Sequence, residues 1–128
     1  MKARSVVLFL LLSLALGLSA ALGQEDLFQK GQVVFTENCM DCHRANGRGL
    51  PGTFPALDGD PFVRGAPEPV IATVLQGRKG NLGQMPTWKD KLTDDQIAAV
   101  VTYIRQAWSD KAAGVTPAMV AEIRKTGK

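Results

Sequence analysis

Apolar positions at helical intervals dominate the chain beyond its first two dozen residues. Leu27, Gly31, Val34, Phe35 and Asn38 recur three and four apart, the period of one helix face. They predict a first helix from about Asp26 to Asn38, with Gly31 allowing close approach of another helix. A second, short helix is expected over Glu68–Gln76, with Pro69 in its first turn and Gly77 at its end. The clearest signal is Ile97, Val100, Val101, Ile104 and Trp108 on one stripe. Thr93 precedes that stripe as an N-cap, and Gln96 three residues on completes a capping box. A last helix is expected from Thr116-Pro117, with Val120 and Ile123 on one face. No segment alternates as a strand would. Two Gly/Pro-rich stretches, Asn46–Pro69 and Gly77–Thr87, read as loops, and the first is long enough to suggest a functional role such as wrapping a cofactor. The expected fold class is all-α.

The amino terminus has a different pattern. Lys2 and Arg4 precede the apolar run Val6–Leu16, and small residues follow to Gly23. Positive, apolar, small is the order of a secretory leader, so residues 1–23 read as a signal peptide and the mature chain is expected to start at Gln24. The alternative is a retained anchor, since Val6–Leu22 reaches the lower length limit for spanning a bilayer. The remainder divides into a main domain, 24–110, and a C-terminal helical extension, 111–128. The expected location is periplasmic or otherwise extracytoplasmic.

Charge sharpens this picture a little. Loss of Lys2 and Arg4 lowers the formal net charge from +3 to +1, too weak to argue for nucleic acid. It is unevenly spread: residues 44–91 carry seven Arg/Lys against four Asp/Glu, the rest of the mature chain six against eight.

The two cysteines carry the chemistry. Cys39 and Cys42 are too close to staple a fold as a disulfide, and residues 39–43 read Cys-Met-Asp-Cys-His. That is the attachment pattern of c-type haem. Cysteines three apart in a helical turn project to one side, where their thiols add to two vinyl groups on a porphyrin edge. His43 then lies beneath the ring and offers its imidazole to the iron. A dithiol redox site wants a βαβ setting, and structural zinc wants four ligands. His43 is the only histidine in the chain. For the sixth position the candidates are methionine, lysine or no ligand. Met40 lies within the motif and Met119 on the last helix, whereas Met85 stands in Gly-Gln-Met-Pro on a loop 42 residues after His43. Met85 is the expected second axial ligand, on the face opposite His43, with Pro86 stiffening the loop.

Over nearly all of Asp26–Trp108 the chain resembles the class I cytochrome c family. The resemblance rests on Cys39–His43, Phe54-Pro55-Ala56-Leu57, Gly83-Gln84-Met85-Pro86 and the last aromatic-bearing helix. It implies several helices wrapped around one covalent haem c, the first and last main helices crossing near one haem edge. Gly31 and Phe35 would then meet the Val100–Tyr103 region. It implies that the backbone carbonyl of Pro55, or of a neighbour, accepts the proton on the free nitrogen of His43. Leu57 would pack on the haem. Trp88 resembles the aromatic beside the propionates, and Arg64 is a second propionate candidate. The tail resembles those of some bacterial cytochrome subunits that work with larger enzymes.

The resemblance implies an electron carrier with no catalytic residues, shuttling single electrons within a respiratory or dehydrogenase chain. A His/Met pair leaves no iron site for peroxide, and no distal histidine exists for enzyme chemistry. A cytochrome c subunit held in a larger oxidoreductase complex is the alternative. Redox proteins are the expected partners, without nucleic acid or a small-molecule substrate. Arg44, Arg48, Arg78, Lys79, Lys89 and Lys91 flank the two ligand segments and read as a basic rim suited to an acidic docking face.

Overall fold

The computed structural model describes Gly23, residues 25–80 and residues 83–127. The expected leader, 1–23, lies outside the described residues except for Gly23. The architecture is all-α. Helix α1 covers 25–38, and α2, Met40–His43, is a single turn directly after it. Then come α3 (Pro61–Arg64), α4 (Pro67–Gln76), a small hairpin of β1 (Arg78–Lys79) and β2 (Gln84–Met85), α5 (Asp94–Gln106) and α6 (Pro117–Thr126).

Local chemistry accounts for most boundaries. The capping box exists as expected: Gln96 N–H donates to Thr93 Oγ1 at 3.2 Å, and Thr93 N–H donates to Gln96 Oε1 at 2.9 Å. Thr116 caps α6 by accepting from Met119 N–H. Helix α4 opens at Pro67 and stops at Gly77, whose φ of 74° suits glycine. Two features were not legible in the pattern. Helix α3 lies inside the segment expected to be loop, nucleated by Asp60 accepting from Phe62 N–H at 2.7 Å. The hairpin lies where only a loop was expected, and two-residue strands are too short to show alternation.

One expectation is corrected. The helical stripe does not continue to Trp108. Helix α5 ends at Gln106, and Trp108 sits beyond it with a left-handed φ of 55°.

Helix α5 is the centre of the molecule. Residues 97–105 are buried without a break, so the helix is covered all round and not on one stripe. Helix α1 covers one side. Gly31 makes this possible: a Cβ there would lie 2.0 Å from the Ala99 carbonyl oxygen and 2.7 Å from Tyr103 Cβ. Phe28 and Phe35 stack on Tyr103 at centroid separations of 5.1 and 5.3 Å. Helices α4 and α6 cover the other side. Val115, Val120 and Ile123 belong to the same core as Ile71, Ile97 and Val101, each burial contributing about 1.5–3 kcal/mol. The C-terminal extension therefore shares the core of the main domain.

Two polar residues of α5 are buried with partners. Thr102 Oγ1 donates to the Val115 carbonyl and accepts from Val115 N–H. Arg105 donates Nε–H to the Ala113 carbonyl at 2.7 Å, and an Nη1–H to those of Val63 and Gly65 at 2.6 and 2.9 Å. It thereby joins α5 to α3 and to the segment before α6. Among the described residues, no helix is long and apolar enough to cross a membrane.

Candidate functional site

Helix α1 runs almost directly into the attachment turn. Cys39 N–H donates to the Phe35 carbonyl at 2.8 Å, His43 N–H to the Cys39 carbonyl at 3.0 Å, and Arg44 N–H to the Met40 carbonyl at 2.8 Å. Residues three and four apart on such a turn share a side, which groups Cys39, Cys42 and His43. The chain then breaks away at Arg44, with a φ of 65°. Both thiols are unpaired and half-buried. Burial, then the neighbouring Cys42, pushes the Cys39 thiol up to about 11.

The imidazole of His43 is oriented by one long-range bond. Nδ1 lies 3.1 Å from the Pro55 carbonyl oxygen. A carbonyl only accepts, so Nδ1 carries the proton and Nε2 keeps its lone pair for a metal. Burial lowers the His43 pKa, while the Pro55 carbonyl acts in the opposite sense. The neutral ring is the ligating form.

Glycine makes the Pro55 contact possible. Gly49 N–H donates to the His43 carbonyl at 3.0 Å. A Cβ on Gly49 would stand 2.4 Å from the Phe54 carbonyl oxygen and 2.5 Å from that of Pro55. Leu57 N–H and Asp58 N–H both donate to the Gly47 carbonyl, at 2.7 and 3.0 Å. The segment carrying Pro55 is thus folded back onto the turn that follows His43.

Met85 is held by the hairpin. It pairs with Arg78 across the two strands, and Gln84 pairs with Lys79. Gly77 lies beneath: a Cβ there would be 2.5 Å from the Met85 carbonyl oxygen. Downstream, Thr87 Oγ1–H donates to the Leu75 carbonyl at 2.7 Å. Met85 is therefore anchored on both sides to the end of α4.

Cys39, Leu57, Met85 and Trp88 all pack against the core and all remain partly exposed. Two thiols and an imidazole with a free Nε2 are the attachment and ligand groups that a haem c uses, and a thioether and an apolar border lie among the same partly exposed residues. These residues fit that group.

The other expected residues have mixed surroundings. Lys91 Nζ lies over the Trp88 ring at 5.3 Å from its centroid. Arg64 donates to the Gly59 carbonyl at 2.9 Å and lies 3.5 Å from Asp110. Within the basic set, Arg78 lies over the Phe62 ring and Arg48 is 3.9 Å from Asp58. Arg44, Lys79 and Lys89 are exposed, with no side-chain partner among the described residues.

Sequence reasoning missed Gly47, Gly49, Asp58, Ser109 and Asp110, and it mistook Trp108 for part of a helix. Their contacts join positions up to 63 residues apart, and such pairings leave no local periodicity to detect.

The family described as cytochrome c oxidase, cbb3-type, subunit III matches residues 26–104. The chain is 35% identical to a cytochrome c-552 of Thermus thermophilus, covering 95% of this chain and 84% of that protein. It is 36% identical to the cytochrome c subunit of gluconate 2-dehydrogenase from Pantoea cypripedii, covering 82% of this chain but 26% of that subunit. It is 34% identical to the cytochrome c subunit of a quinone alcohol dehydrogenase from Gluconacetobacter polyoxogenes, covering 76% of this chain and 23% of the subunit. The chain thus spans about a quarter of each dehydrogenase subunit. The crystal structure of the c-type cytochrome XoxG from Methylobacterium extorquens AM1 superposes with a TM-score of 0.48 at 19% identity, over 78% of this chain and 65% of that one.

Proposed function

Since the chain belongs to the class I c-type cytochromes, we propose that His43 and Met85 are the two axial ligands of its haem iron. The protein carries one haem c, attached covalently through Cys39 and Cys42, and is an electron carrier. When bound, that group supplies an iron that changes by one electron. The polypeptide supplies ligand choice, burial and a docking surface.

The observation that carries the ligand assignment is the His43–Pro55 bond. It commits Nδ1 as donor, leaves the Nε2 lone pair available to a metal and raises the basicity of the ring. On the other side, hairpin pairing and Gly77 restrict the backbone of Met85, which favours a persistent thioether ligand. A soft ligand stabilises ferrous iron and raises the potential. Two committed ligands exclude peroxide, so we infer electron transfer without enzyme activity. Leu57 then packs on the ring, while Trp88 and Arg64 are the propionate-side candidates.

The test is Met85→Ala in the holoprotein. The oxidised parent should show a weak far-red sulfur-to-iron absorption band. The variant should lose that band, bind carbon monoxide and have a lower potential. A parent that binds carbon monoxide readily would overturn the ligand assignment.

We further propose that residues 1–23 are a cleaved leader, that the main domain covers 24–110 with 111–128 as its extension, and that the protein works in the periplasm. Mass spectrometry should find Gln24 first, and an intact Met1 would refute cleavage. Redox proteins are its partners, and Arg44, Lys79 and Lys89 support an acidic docking face on them. Similarity to dehydrogenase cytochrome subunits supports a second reading, a carrier held in a larger complex. Gel filtration of the native protein separates the two.

A further inference from the structure

Three consecutive residues just past α5 all reach back to the loop around His43. Trp108 Nε1–H donates to the Ala45 carbonyl at 3.0 Å. Ser109 donates its N–H to Asp58 Oδ1 at 3.1 Å and its hydroxyl to the same oxygen. Asp110, fully buried, accepts from Gly59 N–H at 3.2 Å on each carboxylate oxygen and lies 3.5 Å from Arg64 Nε. The grip therefore falls on both arms of the loop that carries Pro55. One arm, Ala45–Gly47, begins two residues after His43. The other, Asp58–Gly59, directly follows Leu57.

Backbone strain marks the same place. Among the described residues, the two non-glycine positions with left-handed φ are Arg44 and Trp108. Such positions are costly and persist only where the surroundings enforce them. Here they flank a single hydrogen bond, from the Trp108 indole to Ala45. The indole also lies against Gly47, where a Cβ would meet the ring at 2.6 Å. On its other side it stacks edge-on with Phe35 and Tyr103, at 5.5 and 5.7 Å. The ring is thus wedged between the α1–α5 crossing and the turn behind His43. Gly47 passes the constraint on, since its carbonyl takes both Leu57 N–H and Asp58 N–H.

We propose that Trp108, Ser109 and Asp110 form a clasp of positioning residues that sets the hydrogen bond between His43 Nδ1 and the Pro55 carbonyl, and through it the potential of the iron. The proposal rests on His43 being the axial ligand. A tight Nδ1–H···O bond makes the imidazole a stronger donor and favours ferric iron. A looser clasp weakens that bond, so the potential rises.

The experiment uses the holoprotein, with two readouts: solvent exchange of the His43 Nδ1 proton by NMR, and the reduction potential. Trp108→Phe keeps an aromatic ring but removes the indole donor. Asp58→Ala removes the acceptor for Ser109, whereas Asp58→Asn loses the same charge and keeps an acceptor oxygen. Trp108→Phe and Asp58→Ala should each speed exchange roughly threefold to tenfold, the factor for one lost hydrogen bond, and raise the potential. Asp58→Asn should exchange at nearly the parent rate and have a lower potential than Asp58→Ala. Thr102→Val, which removes the buried bonds to Val115, should lower stability and move neither readout. Parent-like exchange and potential in both Trp108→Phe and Asp58→Ala would overturn the clasp while leaving ligation intact. So would an equal change in Thr102→Val. A parent protein whose His43 ring protons lack paramagnetic shifts would overturn the ligation reading, and the clasp with it.

Discussion

Replacing Gly31 by alanine sets two effects of opposite sign against each other, and the structure decides between them. In an isolated helix the change is favourable by about 1 kcal/mol, because glycine has the larger backbone entropy to lose. In this fold the new methyl group would lie 2.0 Å from the Ala99 carbonyl oxygen and 2.6 Å from its carbonyl carbon. Neither atom belongs to a flexible side chain, so α1 and α5 must separate by about 1 Å to restore van der Waals distance. Overpacking of this kind costs about 1–3 kcal/mol. The separation also loosens Phe28 and Phe35 on Tyr103, ring pairs worth about 0.5–1.5 kcal/mol each beyond their buried area. The cost exceeds the propensity gain, and a net loss of about 2 kcal/mol is expected. Guanidinium unfolding of the holoprotein, followed by far-ultraviolet circular dichroism, measures it as a lower midpoint at unchanged slope. Gln32→Ala, on the exposed face of the same helix, reports propensity alone and should change stability by less than about 0.5 kcal/mol. A Gly31→Ala protein as stable as the parent would show that the helices do not meet as closely as described.

Arg105→Met should destabilise by about 2–4 kcal/mol in the same assay, because it leaves the Val63, Gly65 and Ala113 carbonyls without their donor. Arg105→Lys should recover little of this, since an ammonium cannot span the fork, and full recovery would refute the geometric reading. The Ser109 hydroxyl bond, ahead of all other causes, holds the Asp58 carboxyl below its ordinary value. A depressed carboxyl contributes stability above its unfolded pKa of about 3.9, and that contribution is lost as pH falls through the folded value. Ser109→Ala should therefore be less stable than the parent at pH 6, with the gap narrowing below pH ~4, and an equal gap at both pH values would contradict this. Reversing charge at Lys79 and Lys89 should slow association with the natural redox partner severalfold at low salt, whereas reversal at Lys111 and Lys125 should not. Stopped-flow rates across ionic strengths check this, and equal effects of the two pairs would remove the case for a basic rim.

Whatever is encoded over a few adjacent residues is legible in the amino-acid order alone. Cys39–His43 announced covalent haem because attachment chemistry needs those groups within one helical turn. Thr93 and Gln96 announced the start of α5 because a capping box is a contact between neighbours in sequence. The all-α class and four of the helices followed from apolar periodicity. Tertiary structure decided the contacts that span the chain. The spacing of Ile97 to Ile104 revealed one buried stripe, but only packing from α1, α4 and α6 made α5 buried all round. Trp108 continued that stripe in register, yet its indole leaves the helix to reach Ala45, 63 positions earlier. The pairing of Asp58 with Ser109 and of Gly59 with Asp110 joins segments 51 residues apart, and nothing near either residue signals it. A local pattern records propensity and spacing. Which carbonyl sits behind the imidazole of His43, and what holds it there, depends on how distant loops close on one another.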